Sequence, residues 1–298
     1  DRLTQAVNLG KDTFTRGSIR HETIEDCVQV LLGYKQVLLE YEITTPEQLH
    51  VIATSAVREA SNQLAFLDRI YIATELQVAA MDEAEINRIT YLGIRRELTQ
   101  MSTDATIVVC EVGGGSTELL AVRNNQIDFA HTYKLGSLRL RKTLDSYGAP
   151  ITQSRHLMEA EIKRTTGLLH EHVNSEHPLR LVALGGDIRF AANQINGSWD
   201  STTGATIDRE TLETLTNDIL AMPLDTIAQQ YSLDITFQEA ETLGPALLAY
   251  VEISKQLQIQ QIQVSGANLR DGLLQEMALE EAWSREFQNQ IIGSVLDL

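Results

Sequence analysis

The sequence predicts an α/β protein of two domains. Three observations carry this. The chain has 298 residues, and at roughly 100–200 residues per domain that is material for two cores. Three short apolar runs end in small or polar residues and lead into helix-forming stretches, the strand–turn–helix order of α/β connectivity. The remaining glycine-rich run is followed by a second β-prone stretch instead of a helix.

Taken in order, a helix is expected over about Ile24 to Tyr41, where Ile24, Val28, Leu31, Leu38 and Tyr41 recur at helical spacing. The run LHVIATSAVREASN from Leu49 reads as strand, tight turn, helix. In ATIVVCEVGGGSTELLAV from Ala105, the glycines fall in a bend between two antiparallel strands. The Asn124-Asn125 pair then turns the chain into a third strand from Ile127 to Tyr133. A helix follows over about Arg155 to His172, with Ile162, Leu168 and Leu169 inward. LRLVALGGDIRFAANQ from Leu179 and IQVSGANLRDGLL from Ile262 repeat the strand–turn–helix pattern, and a further helix fits about Phe237 to Leu257. Each such turn sets backbone N–H groups at a helix N-terminus on one sheet edge. Plain α/β connectivity produces the same turns without a ligand.

Composition narrows the function. The net charge of −17 argues against a general nucleic-acid binder, which needs Lys and Arg to neutralise phosphates. No stretch approaches the roughly 18 unbroken apolar residues of a membrane span. The opening DRLTQAVNLGKD lacks the basic-then-apolar pattern of a signal peptide. Cys27 and Cys110 lie in apolar stretches far apart and read as buried free thiols in a reducing compartment. A cytoplasmic protein is expected, one that meets an anion through local backbone N–H groups, a few arginines and a metal.

The bend Gly113-Gly114-Gly115 is neither a Walker A loop, since no Gly-Lys-Ser/Thr follows, nor a dinucleotide fingerprint, since no helix follows. Without Cβ atoms it lets phosphate oxygens reach the backbone. Glu111 and Glu118 flank it. Two carboxylates beside a phosphate call for a hard cation such as Mg²⁺, and one of them can orient water. A hairpin with solvated glutamates has the same spacing. Arg58, after Thr54 and Ser55, is placed to clamp phosphate in the first turn of a helix, or simply to pair with Glu59. Gly185, Gly186 and Asp187 form the third turn, with Asp187 as the expected N-cap. Gly136 and Arg139 of KLGSLRL are candidates for the same cleft, and Ser265, Gly266, Asn268 and Arg270 form the fourth turn. His170, His172 and His177 read as solvated, and Glu239 and Glu241 as an exposed helix face. HExxH, paired CxxC and GxSxG patterns are missing from the sequence.

The strings IATSAVREASN, VCEVGGGSTELL, KLGSLRL, LVALGGDIRFAA and VSGANLRDGLL resemble, in this order, those of the exopolyphosphatase/guanosine pentaphosphate phosphatase (Ppx/GppA) family, over about Asn8 to Met277. The resemblance implies the actin-like ATPase architecture, in which two RNase H-like domains flank a cleft. The domains are expected at 1–121 and 122–283, with 284–298 beginning a helical extension. It also implies Mg²⁺-dependent release of terminal phosphate from inorganic polyphosphate or guanosine pentaphosphate, and pairing as a homodimer. By the same likeness Thr54, Arg58, Gly113, Gly114, Gly115, Ser116, Thr117, Gly136, Gly185 and Gly186 would bind phosphate. Glu111 and Glu118 would hold the metal, with Glu118 also catalytic.

Three departures stand out. The family's opening phosphate loop, roughly Ile-Asp-Ile-Gly-Ser/Thr-Asn-Ser, is not in this sequence, so a numbering that starts inside a longer protein is the favoured expectation. The family's base segment, roughly Ser-Gly-x-Glu-Glu-Ala-Arg, corresponds to Asp82 through Arg88, which puts Ile86 at the base position. Glu85 is the nearest carboxylate, turned by roughly 100° on a helix. Glu111 stands in for an aspartate and Asp187 for a threonine. The departure at Ile86 keeps open a non-catalytic module that binds polyphosphate or a guanosine alarmone. A sugar-kinase-like transferase on the same fold ranks last, for want of an adenosine-binding turn.

Overall fold

The computed structural model describes residues 3–279, except 44, 46, 47, 102, 103, 149, 150, 174–176 and 198–203. The expected extension at 284–298 lies outside them. The elements run α1 (Leu9–Arg16), α2 (His21–Glu40), β1 (Val51–Ala53), α3 (Ser55–Arg58), α4 (Gln63–Thr74), β2 (Val78–Ala80) and α5 (Glu83–Leu98). Then come β3 (Thr106–Val112), β4 (Thr117–Arg123), β5 (Gln126–Tyr133), α6 (Ser137–Tyr147), α7 (Ile151–Thr165), α8 (Leu169–His172), β6 (Leu179–Leu184) and α9 (Gly186–Asn196). The described part ends with β7 (Ala205–Asp208), α10 (Arg209–Ala221), α11 (Leu224–Gln230), α12 (Phe237–Gln256), β8 (Gln261–Val264) and a helix over 269–279.

The smaller lobe pairs β1 with β2 in parallel, Val51 opposite Val78. Its core gathers Ile19, Ile24, Val28, Val57, Phe66 and Ile70 from α2, α3, α4 and the turn before α2. The larger lobe is a six-stranded sheet in the order β5-β4-β3-β6-β8-β7. β3, β4 and β5 form an antiparallel meander, and β6 and β8 run parallel to β3. Alternation sorts its residues by face. Val108, Cys110, Leu119, Leu181 and Ala183 join α12 in the main core, while Ile107, Val109, Leu120 and Val182 meet Ile94 and Leu98 of α5. Both lobes use α5, whose Ile86 and Ile89 pack with Met81, Ile52 and Leu269. The boundary expected at 121/122 falls inside β4, a strand of the larger sheet; the change of sheet comes between α5 and β3.

Local chemistry explains the ends. Asn124 and Asn125 sit at φ 50° and 61°, the left-handed pair that a two-residue hairpin turn requires. α5 and α12 each open on a capping box, Asp82 with Glu85 and Thr236 with Glu239. The single helix expected from Arg155 to His172 is instead α7 and α8. Between them lie Thr166, whose N–H and hydroxyl both donate to the Ile162 carbonyl at 2.9 and 2.8 Å, and Gly167, a poor helix former. Glu239 is exposed as expected, but Glu241 is not merely solvated: it pairs with Lys11 of α1 at 3.0 Å and ties α12 to the smaller lobe.

Candidate active site

The Gly113–Ser116 bend closes β3 onto β4, with the Gly113 N–H donating to the Ser116 carbonyl at 2.8 Å. Its own carbonyls are consumed on the far side. Gly113 O accepts from Ser137 N at 3.0 Å, Gly114 O from Leu138 N at 2.9 Å, and Gly115 O from Arg139 Nε at 2.5 Å. The start of α6 thus grips the back of the bend, and the Gly114 and Gly115 N–H groups have no hydrogen-bond partner among the described residues. Successive free N–H groups in a tight turn are a concavity for an anion. Two glycines are needed for sterics. A Cβ on Gly136 would lie 2.4 Å from Gly114 O, and one on Gly115 would lie 1.9 Å from the Phe14 ring.

Phe14 comes from α1 in the smaller lobe. The Arg139 guanidinium stacks 4.7 Å from its ring centroid and forms an ion pair with Glu59. The bend is therefore held at the contact between the lobes. Asp12 anchors the Phe14 helix, accepting from Thr23 Oγ1 at 2.6 Å, Arg20 Nε at 2.8 Å and Arg20 N at 3.1 Å. Burial works against its charge, but these donors prevail and hold the carboxyl below its ordinary value.

Glu111 and Glu118 are direct cross-strand partners, so both side chains leave the same sheet face. Burial, then the charge of Glu118, pushes the Glu111 carboxyl up to about 7, while Arg189 opposes the rise. Burial likewise raises Glu118, against a 2.7 Å hydrogen bond from Ser116 Oγ and the charge of Arg58. Like charges directly opposite are unfavourable unless a proton or a cation intervenes. Among the described residues no cluster of three metal-ligating acids, histidines or cysteines occurs. Two carboxylates nevertheless fit Mg²⁺, which takes one or two from protein and the rest from water and phosphate. The row continues to Thr132 of β5, opposite Glu118, and to Leu184 of β6, opposite Glu111.

Arg58 closes α3. Its Nη1 donates to Met81 O at 2.9 Å, and its Nη2 is buried with no partner among the described residues. Thr54 is the half-buried, extended residue before α3, with no side-chain capping bond. Across the sheet, the Tyr250 hydroxyl accepts from Val112 N at 2.9 Å and donates to Leu184 O, pinning the ends of β3 and β6 together. Gly185, at φ 111°, starts the turn there, and exposed Gly186 opens α9.

The structure thus brings together the glycine bend, Glu111, Glu118, Arg58 and the Gly185–Gly186 turn. It does not bring in Thr117, which is fully buried with its hydroxyl donating to Leu135 O at 2.7 Å, or Glu85. That carboxylate is exposed and accepts from Asp82 N at 2.8 Å, closing the cap of α5, while Ile86 is buried. The Asp-x-x-Glu spacing is itself a capping signature and identifies this role in the sequence. Asp187 is not the N-cap; Gly185 is, and Asp187 lies inside the first turn. Burial and the charge of Glu239 push its carboxyl up to about 7. The fourth turn is self-satisfied, with Asn268 bonded to Asp271 and Ser265 to Glu97. His170, His172 and His177 are exposed as expected, His172 stacking on Phe129. Of the cysteines, Cys110 is buried and Cys27 only partly so. Sequence inspection missed Phe14, Glu83 and Asn87; the last two share a face of α5 by their four-residue spacing.

The sequence model of the Ppx/GppA phosphatase family matches residues 1–281. The chain belongs to the Ppx/GppA phosphatase family. It is 24% identical over 278 residues to exopolyphosphatase 1 of Mycobacterium tuberculosis, covering 90% of this chain and 77% of that protein. It is also 26% identical over 138 residues to the bifunctional 3-dehydroquinate synthase/phosphatase of Fusobacterium nucleatum, a match spanning 46% of this chain and one fifth (20%) of that protein. The solved exopolyphosphatase of Cytophaga hutchinsonii shares the fold, with a TM-score of 0.78 at 21% identity, covering 92% of this chain and 87% of that one. The fold is therefore that of the Ppx/GppA family. Among the described residues no helix is long and apolar enough to cross a membrane.

Proposed function

We propose that this Ppx/GppA protein releases terminal phosphate from inorganic polyphosphate, or from a guanosine pentaphosphate, by attack of water with Mg²⁺. The observation that carries this is the facing Glu111–Glu118 pair at the mouth of a bend that offers free N–H groups. Glu111 and Glu118 would hold Mg²⁺, which when bound neutralises charge on the phosphate oxygens. The bend and the unpaired Nη2 of Arg58 bind the terminal phosphoryl group, and Ser116 orients Glu118 through its hydroxyl. The lobe contact at Phe14, Arg139 and Glu59 packs against the bend at Gly115. Phosphate release from long-chain polyphosphate, followed with malachite green, tests the reading. Release is expected from the wild type and is expected to vanish in Arg58→Ala. Release that is unchanged in that variant would refute the assignment.

A second reading, a non-catalytic module that holds polyphosphate or a guanosine alarmone, is favoured by one observation: Ile86 is buried and Glu85 is bound into the helix cap. It predicts calorimetric binding of polyphosphate without turnover.

A further inference from the structure

The first turns of α5 stand against the acid row, and their side chains differ in what they can do. Glu85 is committed to the cap, and Ile86 is apolar and buried. Asn87 is 6% exposed; its Nδ2 donates to Thr132 Oγ1 at 3.1 Å, and its Oδ1 has no partner among the described residues. Exchanging the two amide atoms would leave the nitrogen unpaired instead, so one strong polar atom is buried alone in either orientation. Thr90 Oγ1, one turn on, is also buried without a partner there. A water satisfies such atoms where there are polar groups to share it. Thr132 lies opposite Glu118, so the Asn87 amide is one hydroxyl removed from the acid pair. Glu83 is exposed at the first position of α5, four residues before Asn87 and therefore on the same helix face.

We propose, resting on the phosphatase reading above, that Asn87 positions the attacking water and that Glu83 takes its proton. In the step, the water oxygen donates one hydrogen to Asn87 Oδ1 and forms a bond to the terminal phosphorus. The bridging P–O bond breaks, and its electron pair leaves on the oxygen of the shortened chain. The water proton passes to the Glu83 carboxylate. Asn87 is a positioning residue, since an amide cannot accept the proton; Glu83 is the catalytic one. Both sit on the rigid start of a capped helix, which fixes them relative to the phosphate bend.

The test measures phosphate release from long-chain polyphosphate against pH for the wild type, Asn87→Leu, Asn87→Asp and Glu83→Gln, with polyphosphate affinity by calorimetry and thermal melts beside it. Asn87→Leu and Glu83→Gln are expected to lower kcat by about 10²-fold while leaving KM, the calorimetric Kd and the melting temperature near wild type. Asn87→Asp, which keeps an oxygen at that place, is expected to recover part of kcat. Wild-type kcat in Asn87→Leu overturns the proposal, as does a loss that tracks Kd and melting temperature. A wild type that binds polyphosphate but releases no phosphate overturns the phosphatase reading as well, and so is told apart from a failure confined to α5.

Discussion

Gly136→Ala is the sharpest perturbation of the phosphate bend. The new Cβ would stand 2.4 Å from Gly114 O and 2.5 Å from both Gly114 C and Gly115 N. These are backbone atoms, so no rotamer relieves the clash. Reaching an ordinary contact moves bend and helix apart by about 1 Å, a displacement that costs on the order of 10²-fold in rate when it misplaces a binding group. The same movement stretches the 3.0 Å Ser137–Gly113 and 2.9 Å Leu138–Gly114 hydrogen bonds. Overpacking costs about 1–3 kcal/mol. Each weakened hydrogen bond adds about 0.5–1.5 kcal/mol. With two such bonds the total expected is therefore about 2–6 kcal/mol of stability. Urea denaturation and polyphosphate turnover on the same preparation read both quantities. A variant with wild-type denaturation midpoint and wild-type turnover would show that α6 does not hold the bend and would refute the reasoning.

Phe14→Ala removes the ring that fills the space beside Gly115 and leaves Arg139 without its stacking partner; a loss of about 3–5 kcal/mol is expected in denaturant titrations, with a raised KM for polyphosphate. Asp12 gives a pH signature. Its carboxyl is held low in the folded state, so its contribution is complete above the ordinary value near 3.8 and is lost as pH falls through the lower folded value. The stability gap between wild type and Asp12→Asn should accordingly be widest near neutrality and close in acid. Asp187 has the opposite sign. Its carboxyl is pushed up to about 7, so wild-type stability should decline as pH rises through that value, and Asp187→Asn should flatten the decline in thermal melts.

Much of the fold is legible in local chemistry. The hairpin at Asn124-Asn125 follows from the tolerance of asparagine for the left-handed region, and the strand–turn–helix runs at Thr54 and Gly185 come out as read. What is illegible depends on contacts distant in sequence. The glycines of the bend suggest an open approach for phosphate, but Gly115 and Gly136 are glycine because Phe14 and the bend itself press on them. At the α7–α8 break the Thr166 hydroxyl meets Gln256, a partner 90 residues away that no local pattern names. Glu85 is misassigned when its spacing from Asp82 is ignored in favour of its distance from Ile86. Asn87 carries no sequence signal at all; only its burial beside Thr132 sets it apart.

The proposed site stands on the opposed acids of β3 and β4 needing a divalent ion before a phosphate chain can settle against them. Calorimetric titration of long-chain polyphosphate, with and without Mg²⁺, into wild type and Glu118→Gln measures this directly. The wild type should bind only when Mg²⁺ is present, and the variant should lose that dependence. Equal affinity in all four titrations would contradict it.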